Sequence, residues 1–140
     1  HSTHGAIHDF VGRLLKEPKK LNVLGNGTQR KSYLHVSDCI RGMRFGYDNC
    51  KDDFQVFNLA SLGVTQVRFI AEEVARQVSD ITKIKAEVAF GAGDRGWRGD
   101  VAYTHLTREK FAAKGWTARL SSDEAVSLAI KEIIAEKFKR

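Results

Sequence analysis

Leu24-Gly25-Asn26-Gly27-Thr28-Gln29-Arg30-Lys31-Ser32-Tyr33-Leu34-His35-Val36-Ser37-Asp38 is the stretch whose reading decides the fold. Gly25-Asn26-Gly27 is a strong turn signal between the apolar run Leu21 to Leu24 and the alternating segment Lys31 to Val36, which reads as a strand. Ser37 then reads as the N-cap of a helix carrying Ile40, Met43 and Tyr47 on one face, with Asp38 favourably placed in its positive first turn. Strand, glycine turn, strand and helix in this order place the chain among mixed α/β (α+β) folds.

Working outward, Ile7, Phe10, Val11, Leu14 and Leu15 recur at helical spacing until Pro18 ends the pattern. Downstream, Phe54 to Leu59 reads as a buried strand. Thr65 opens a helix in which Val67, Ile70, Ala71, Val74, Ala75 and Val78 make one stripe. A strand over Ile84 to Phe90 leads into a glycine-rich loop from Gly91 to Asp100, and a short helix near Arg108 to Lys114 breaks at Gly115. Ser121 and Glu124 stand at capping-box spacing before a last helix with Val126, Ala129, Ile130, Ile133 and Ile134 inward. No repeat or linker interrupts this order.

The 140 residues, 42% apolar and 29% charged, suffice for one core. No run of apolar residues is long enough to span a bilayer, and no basic-then-apolar leader opens the chain, so we expect no membrane partner and a cytoplasmic location. Cys39 and Cys50 make neither a disulfide framework nor a C-x-x-C pair and are read as reduced thiols. The net charge of +6 points to anions. Nucleic acid is not the expected partner, because binding it would need aromatics interleaved with the basic residues and only Tyr33 fits. The chain opens on His1 and its sole methionine is Met43, so it reads as a piece of a longer protein.

Several motifs must be weighed for chemistry. Gly91-Ala92-Gly93-Asp94-Arg95-Gly96 spells the dinucleotide fingerprint G-x-G-x-x-G after a predicted strand, yet Trp97, Arg98, Gly99 and Asp100 follow where a phosphate-binding helix should begin. Tyr47 and Lys51 have the spacing of a tyrosine base and its lysine, but turn formers surround them. His4 and His8 beside Asp9 lack a third metal ligand. No catalytic, cofactor or metal residue is therefore assigned. The basic turn Thr28-Gln29-Arg30-Lys31 joins a glycine turn, whose backbone can approach a ligand closely, to two adjacent cations. The loop Asp94 to Asp100 adds two more arginines and a tryptophan, and arginine forks suit phosphate oxygens. On composition alone these two segments stand open between a phosphate grip and a solvated surface.

The motifs together, from Leu24 to Asp38, Phe57-Asn58-Leu59 before the Thr65 helix, Gly93 to Asp100 and Gly115-Trp116, resemble the C-terminal, substrate-binding portion of the NAD-dependent epimerase/dehydratase family, the extended short-chain dehydrogenases, and most of all its UDP-glucose 4-epimerase-like members. The resemblance implies that residues 1–140 are a small sugar-nucleotide-binding region of a chain of about 310 residues, without most of the Rossmann half. It implies a base lying against Asn22 to Leu24, with Thr3, His4 and Gly5 lining the same pocket. Phosphates would be held by Arg30 or Lys31, one of which stands where the family carries arginine, and by Arg95 or, alternatively, Arg98. Tyr103 would line the pocket. NAD would belong to the parent enzyme and not to this chain, which lacks the fingerprint, the tyrosine and the lysine. The partner would be a UDP-sugar and the parent reaction 4-epimerisation, with dehydration, decarboxylation, reduction or a stand-alone binding module as alternatives. Finally, the Ser37 helix and the Phe54 strand would normally pack on the missing Rossmann sheet. Ile40, Met43 and Phe57 should then be uncovered and the chain should self-associate.

Overall fold

The computed structural model describes residues 5–50, 54–96 and 99–138. In chain order it contains α1 (Ala6–Lys16), β1 (Lys20–Val23), β2 (Arg30–Lys31), α2 (Val36–Asn49), β3 (Thr65–Gln66), α3 (Val67–Thr82), β4 (Glu87–Phe90), β5 (Tyr103–Thr104), α4 (Glu109–Ala112) and α5 (Ser122–Phe138). β1 and β4 pair in parallel from Lys20 opposite Glu87 to Val23 opposite Phe90. β2 is the middle of a second small sheet, antiparallel to β3 and parallel to β5. The fold class is therefore mixed α/β, as the alternating pattern implies.

The main core lies between α1, α3, α5 and the β1–β4 pair. Val11, Leu14, Leu21, Ile70, Val74, Val78, Val126 and Ile130 are wholly removed from solvent. Each such side chain contributes about 1.5–3 kcal/mol of transfer free energy, which is why three amphipathic helices converge on so short a sheet. The capping box forms as the spacing requires: the Ser121 N–H donates to Glu124 Oε2 at 2.8 Å and the Glu124 N–H to Ser121 Oγ at 3.3 Å. A smaller cluster of Phe111, Trp116 and Ala118, with Phe45, Phe57 and Leu59 against it, sits under α2. Among the described residues no helix is long and apolar enough to cross a membrane.

Several local expectations give way to tertiary contacts. The strand expected over Lys31 to Val36 shrinks to Arg30–Lys31, because the Tyr33 N–H leaves the ladder to donate to Ser122 Oγ at 3.0 Å. Ser37 does not cap α2. His35 is the N-cap, its Nδ1 accepting from the Ser37 N–H at 3.4 Å while Nε2 lies 3.1 Å from Glu132. Phe54 to Leu59 is not a buried strand: it pairs with no strand among the described residues, and its side chains alternate between solvent and the small cluster. Phe57 is accordingly half-buried, stacked on Phe111 at 4.5 Å, and not uncovered as expected. Thr65 belongs to β3 and does not open α3; its hydroxyl lies 2.6 Å from both Ser122 Oγ and Asp123 Oδ1 of α5.

Candidate functional site

The glycine turn is built from backbone hydrogen bonds before any side chain contributes. α3 has no side-chain cap at its N-terminus; its first amides, Val67 and Arg68, donate to the carbonyls of Gln29 and Gly27 at 3.0 and 2.9 Å. The orphan donors of the helix thus dock the turn. Asn26 Oδ1 accepts from the Thr28 N–H at 3.0 Å and from its hydroxyl at 2.7 Å, an Asx turn that stiffens the bend. Gly27 has φ +78°, and a Cβ there would lie 2.8 Å from the Phe90 ring, so both conformation and space call for glycine.

The late loop closes onto this turn. The Asn26 N–H donates to the Gly93 carbonyl at 2.7 Å, the Gly91 N–H to Val23 at 3.0 Å, and the Arg30 N–H to Ala102 at 2.8 Å. A Cβ on Gly25 would sit 2.5 Å from the Arg95 carbonyl, so the two backbones touch. Side chains then bridge the same seam. Lys31 Nζ lies 2.8 Å from Asp100 Oδ1, and the buried Gln29 donates from Nε2 to Asp100 Oδ2 at 3.4 Å. The hydrogen bond from Lys31 holds the Asp100 carboxyl below the usual carboxylate range against the cost of burial, with the Lys31 charge, the Gly96 N–H and the Gln29 amide adding to it. Burial, and next the Asp100 charge, push the Tyr33 hydroxyl up, so it stays a neutral donor at ordinary pH.

The structure brings together some of the expected residues and separates others. Arg30 and Tyr103 are Cα partners across β2 and β5, both exposed. Arg95 is exposed beside Gly25, and Leu24 is 69% exposed next to the loop. Lys31 is already paired, with Asp100. Asn22 lies one step back on β1 opposite Ala89, and its carbonyl accepts from Arg13. Thr3, His4 and Arg98 lie outside the described residues, as does the lysine of the Tyr47–Lys51 pair. Among the described residues no three His, Cys, Asp or Glu side chains gather as a metal site.

Two residues of the seam, Gln29 and Asp100, escape a reading by motif. A signal for Gln29 exists: burial alternates strictly from Leu21 through Val23, Gly25 and Gly27 to Gln29, so a period of two carried through the glycines marks it as inward. The G-x-G-x-x-G run does not open a helix among the described residues. It follows β4, but its first amide is spent on Val23 and the next described element is β5, not a helix.

The described fold is similar to that of several solved enzymes. A UDP-galactose 4-epimerase matches with a TM-score of 0.77 and 28% identity, over 96% of this chain and 42% of that one. The UDP-glucose 4-epimerase of Thermotoga maritima, solved with UDP-glucose, matches at 0.69 and 22%, over 100% and 42%. The dTDP-glucose 4,6-dehydratase of Bacillus anthracis, in complex with NAD, matches at 0.68 and 16%, over 98% and 40%. The chain carries a partial fold of the NAD-dependent epimerase/dehydratase family. It spans less than half the length of these epimerase and dehydratase structures. No family model and no curated protein matches the chain.

Proposed function

We propose that this chain is the sugar-nucleotide-binding half of an NAD-dependent 4-epimerase, taking a UDP-sugar and leaving redox chemistry to the rest of a longer parent chain. The observation that carries this reading is the seam itself. A glycine turn and an arginine-bearing loop, about seventy residues apart in sequence, meet through backbone hydrogen bonds, and the Lys31–Asp100 ion pair crosses the same seam. Arginine forks and a lysine point charge are what a diphosphate requires, and neutral Tyr33 together with exposed Tyr103 offers hydroxyl and ring surface nearby. Asn22, Leu24, Thr3, His4 and Arg98 remain proposed contacts on the resemblance to the family. Binding energy gathered at the nucleotide would position a hexose carbon for chemistry elsewhere.

Relatives of both reaction types share the fold, so a nucleotide-sugar dehydratase fragment is the second reading. Neither reading assigns catalysis to this chain alone. The test is calorimetric. UDP should bind saturably and oligonucleotides of equal charge should not compete. Arg95→Ala should weaken UDP by about tenfold, the size of one charge-assisted hydrogen bond. Unchanged affinity would remove Arg95 from the grip, and competition by oligonucleotides would favour a nucleic-acid module.

A further inference from the structure

We propose that Gln29 is a positioning residue: its buried amide fixes the Asp100 carboxylate, which in turn holds the Lys31 ammonium at the edge of the glycine turn. The inference rests on the reading of that edge as a diphosphate site and adds to it a residue that touches no ligand. Gln29 is 2% exposed, and its Oε1 has no hydrogen-bond partner among the described residues. A buried, unpartnered acceptor costs folding free energy, and a methionine or leucine of similar size would fill the same space without it. What the amide does and those side chains cannot is donate to Asp100 Oδ2, 3.4 Å away. Rotating the amide would set Oε1 against a carboxylate, so the observed orientation is the one the charges favour.

The backbone of Gln29 is held as firmly as its side chain. Its carbonyl accepts from the Val67 N–H at 3.0 Å, and the next amide, Arg30, donates to Ala102 at 2.8 Å. From this fixed point the contacts run outward: the Gln29 amide to Asp100, whose side chain is 12% exposed, and Asp100 Oδ1 to Lys31 Nζ at 2.8 Å, whose side chain is 36% exposed. Only the last member meets solvent freely. An ammonium has three donors, and the contact with Asp100 leaves others for ligand oxygens. Lysine carries a long flexible stem, and tethering it through a buried carboxylate removes entropy before an anion arrives. The relay therefore sacrifices some stability of the folded chain for a preset cation.

The test replaces Gln29 in the full chain by Met and, separately, by Glu, and reads three quantities: urea stability, the titration of the Asp100 side-chain carboxyl by carbon NMR, and calorimetric UDP affinity. Gln29→Met should be at least as stable as the unsubstituted protein, should move the Asp100 midpoint up toward the ordinary aspartate value, and should weaken UDP by about tenfold. Gln29→Glu, which keeps the shape but opposes two carboxylates, should move Asp100 further and bind UDP more weakly still. A merely structural Gln29 predicts the opposite division, with stability lost and the Asp100 midpoint unmoved. An unmoved midpoint in either folded variant overturns the proposal. Failure of the nucleotide reading looks different: the unsubstituted chain then does not take up UDP while Asp100 still responds to Gln29→Met, which retains the relay and removes only its ligand.

Discussion

α3 and α2 are both amphipathic helices, but they present opposite faces to the protein. The stripe of α3, Ile70, Ala71, Val74, Ala75 and Val78, is buried along its whole length. In α2 the inward positions are Asp38 and Gly42, while Val36, Ile40, Met43 and Tyr47 are 61%, 62%, 62% and 84% exposed. α2 is held to the body by polar and steric means. Asp38 Oδ2 accepts from the Arg119 and Leu120 amides at 2.8 and 3.1 Å, and Oδ1 accepts from Arg41 at 2.8 Å. Gly42 lets Leu59 and Trp116 approach so closely that a Cβ would fall 2.5 and 2.8 Å from them. Hydrophobic periodicity thus marks a face that wants cover without saying which surface supplies it.

The contrast breaks most visibly under truncation of α3. Ile70→Ala should destabilise the chain by about 2–5 kcal/mol in urea unfolding, since it empties a site with no solvent access. A loss below about 1 kcal/mol would mean that the α3 core is not where the stability resides.

Asp38→Asn probes the polar attachment of α2 and should cost about 2–4 kcal/mol, as a carboxylate serving two amides and a guanidinium loses its charge. Burial opposes the charge of Asp38, but the hydrogen bonds from Arg41, Leu120 and Arg119 outweigh it and hold the carboxyl below the usual range. A depressed folded pKa means that the contribution is complete above the ordinary carboxylate value of about 3.9 and is lost as pH falls through the folded value. The stability gap between the unsubstituted chain and Asp38→Asn should therefore close in acid, and a gap independent of pH would show that the charge is not what matters.

The smallest effect on stability should come from Met43→Lys, within about 0.5 kcal/mol, because the side chain is exposed. Its effect on association should be large. Met43 and Tyr47, with Phe57 and Leu59 beneath them, line a cavity of about 310 Å3 on this open side of α2. We propose that the isolated chain self-associates and does so through this face, and sedimentation should then show Met43→Lys as a monomer. A monomeric unsubstituted chain at high concentration would contradict this.

What the sequence reveals and conceals follows the same division. Helices whose stripe meets the core, α1, α3 and α5, are legible from spacing alone, and so are the capping box and the glycine turn, because each depends on neighbours in sequence. The segment 54–59 reads as a strand from its apolar content, but a strand needs a partner with free hydrogen bonds, and here a side-chain cluster takes one face instead. β5 and the contraction of β2 could not be read, since both are set by amides that choose Ser122 Oγ or Ala102 over a longer ladder. In the candidate site, Arg30, Lys31 and Arg95 are visible as cations beside glycines. Gln29 and Asp100 are not, because their meaning comes from a contact across 71 positions.

The central claim, that the glycine turn and the late loop form one nucleotide-diphosphate grip, is tested most directly by mapping amide shifts during a UDP titration. Saturable shifts gathered at Gly25, Asn26, Gly27, Lys31, Arg95 and Gly96, with α2 silent, are the predicted result. Shifts absent at saturating UDP, or confined to the α2 face, would contradict it.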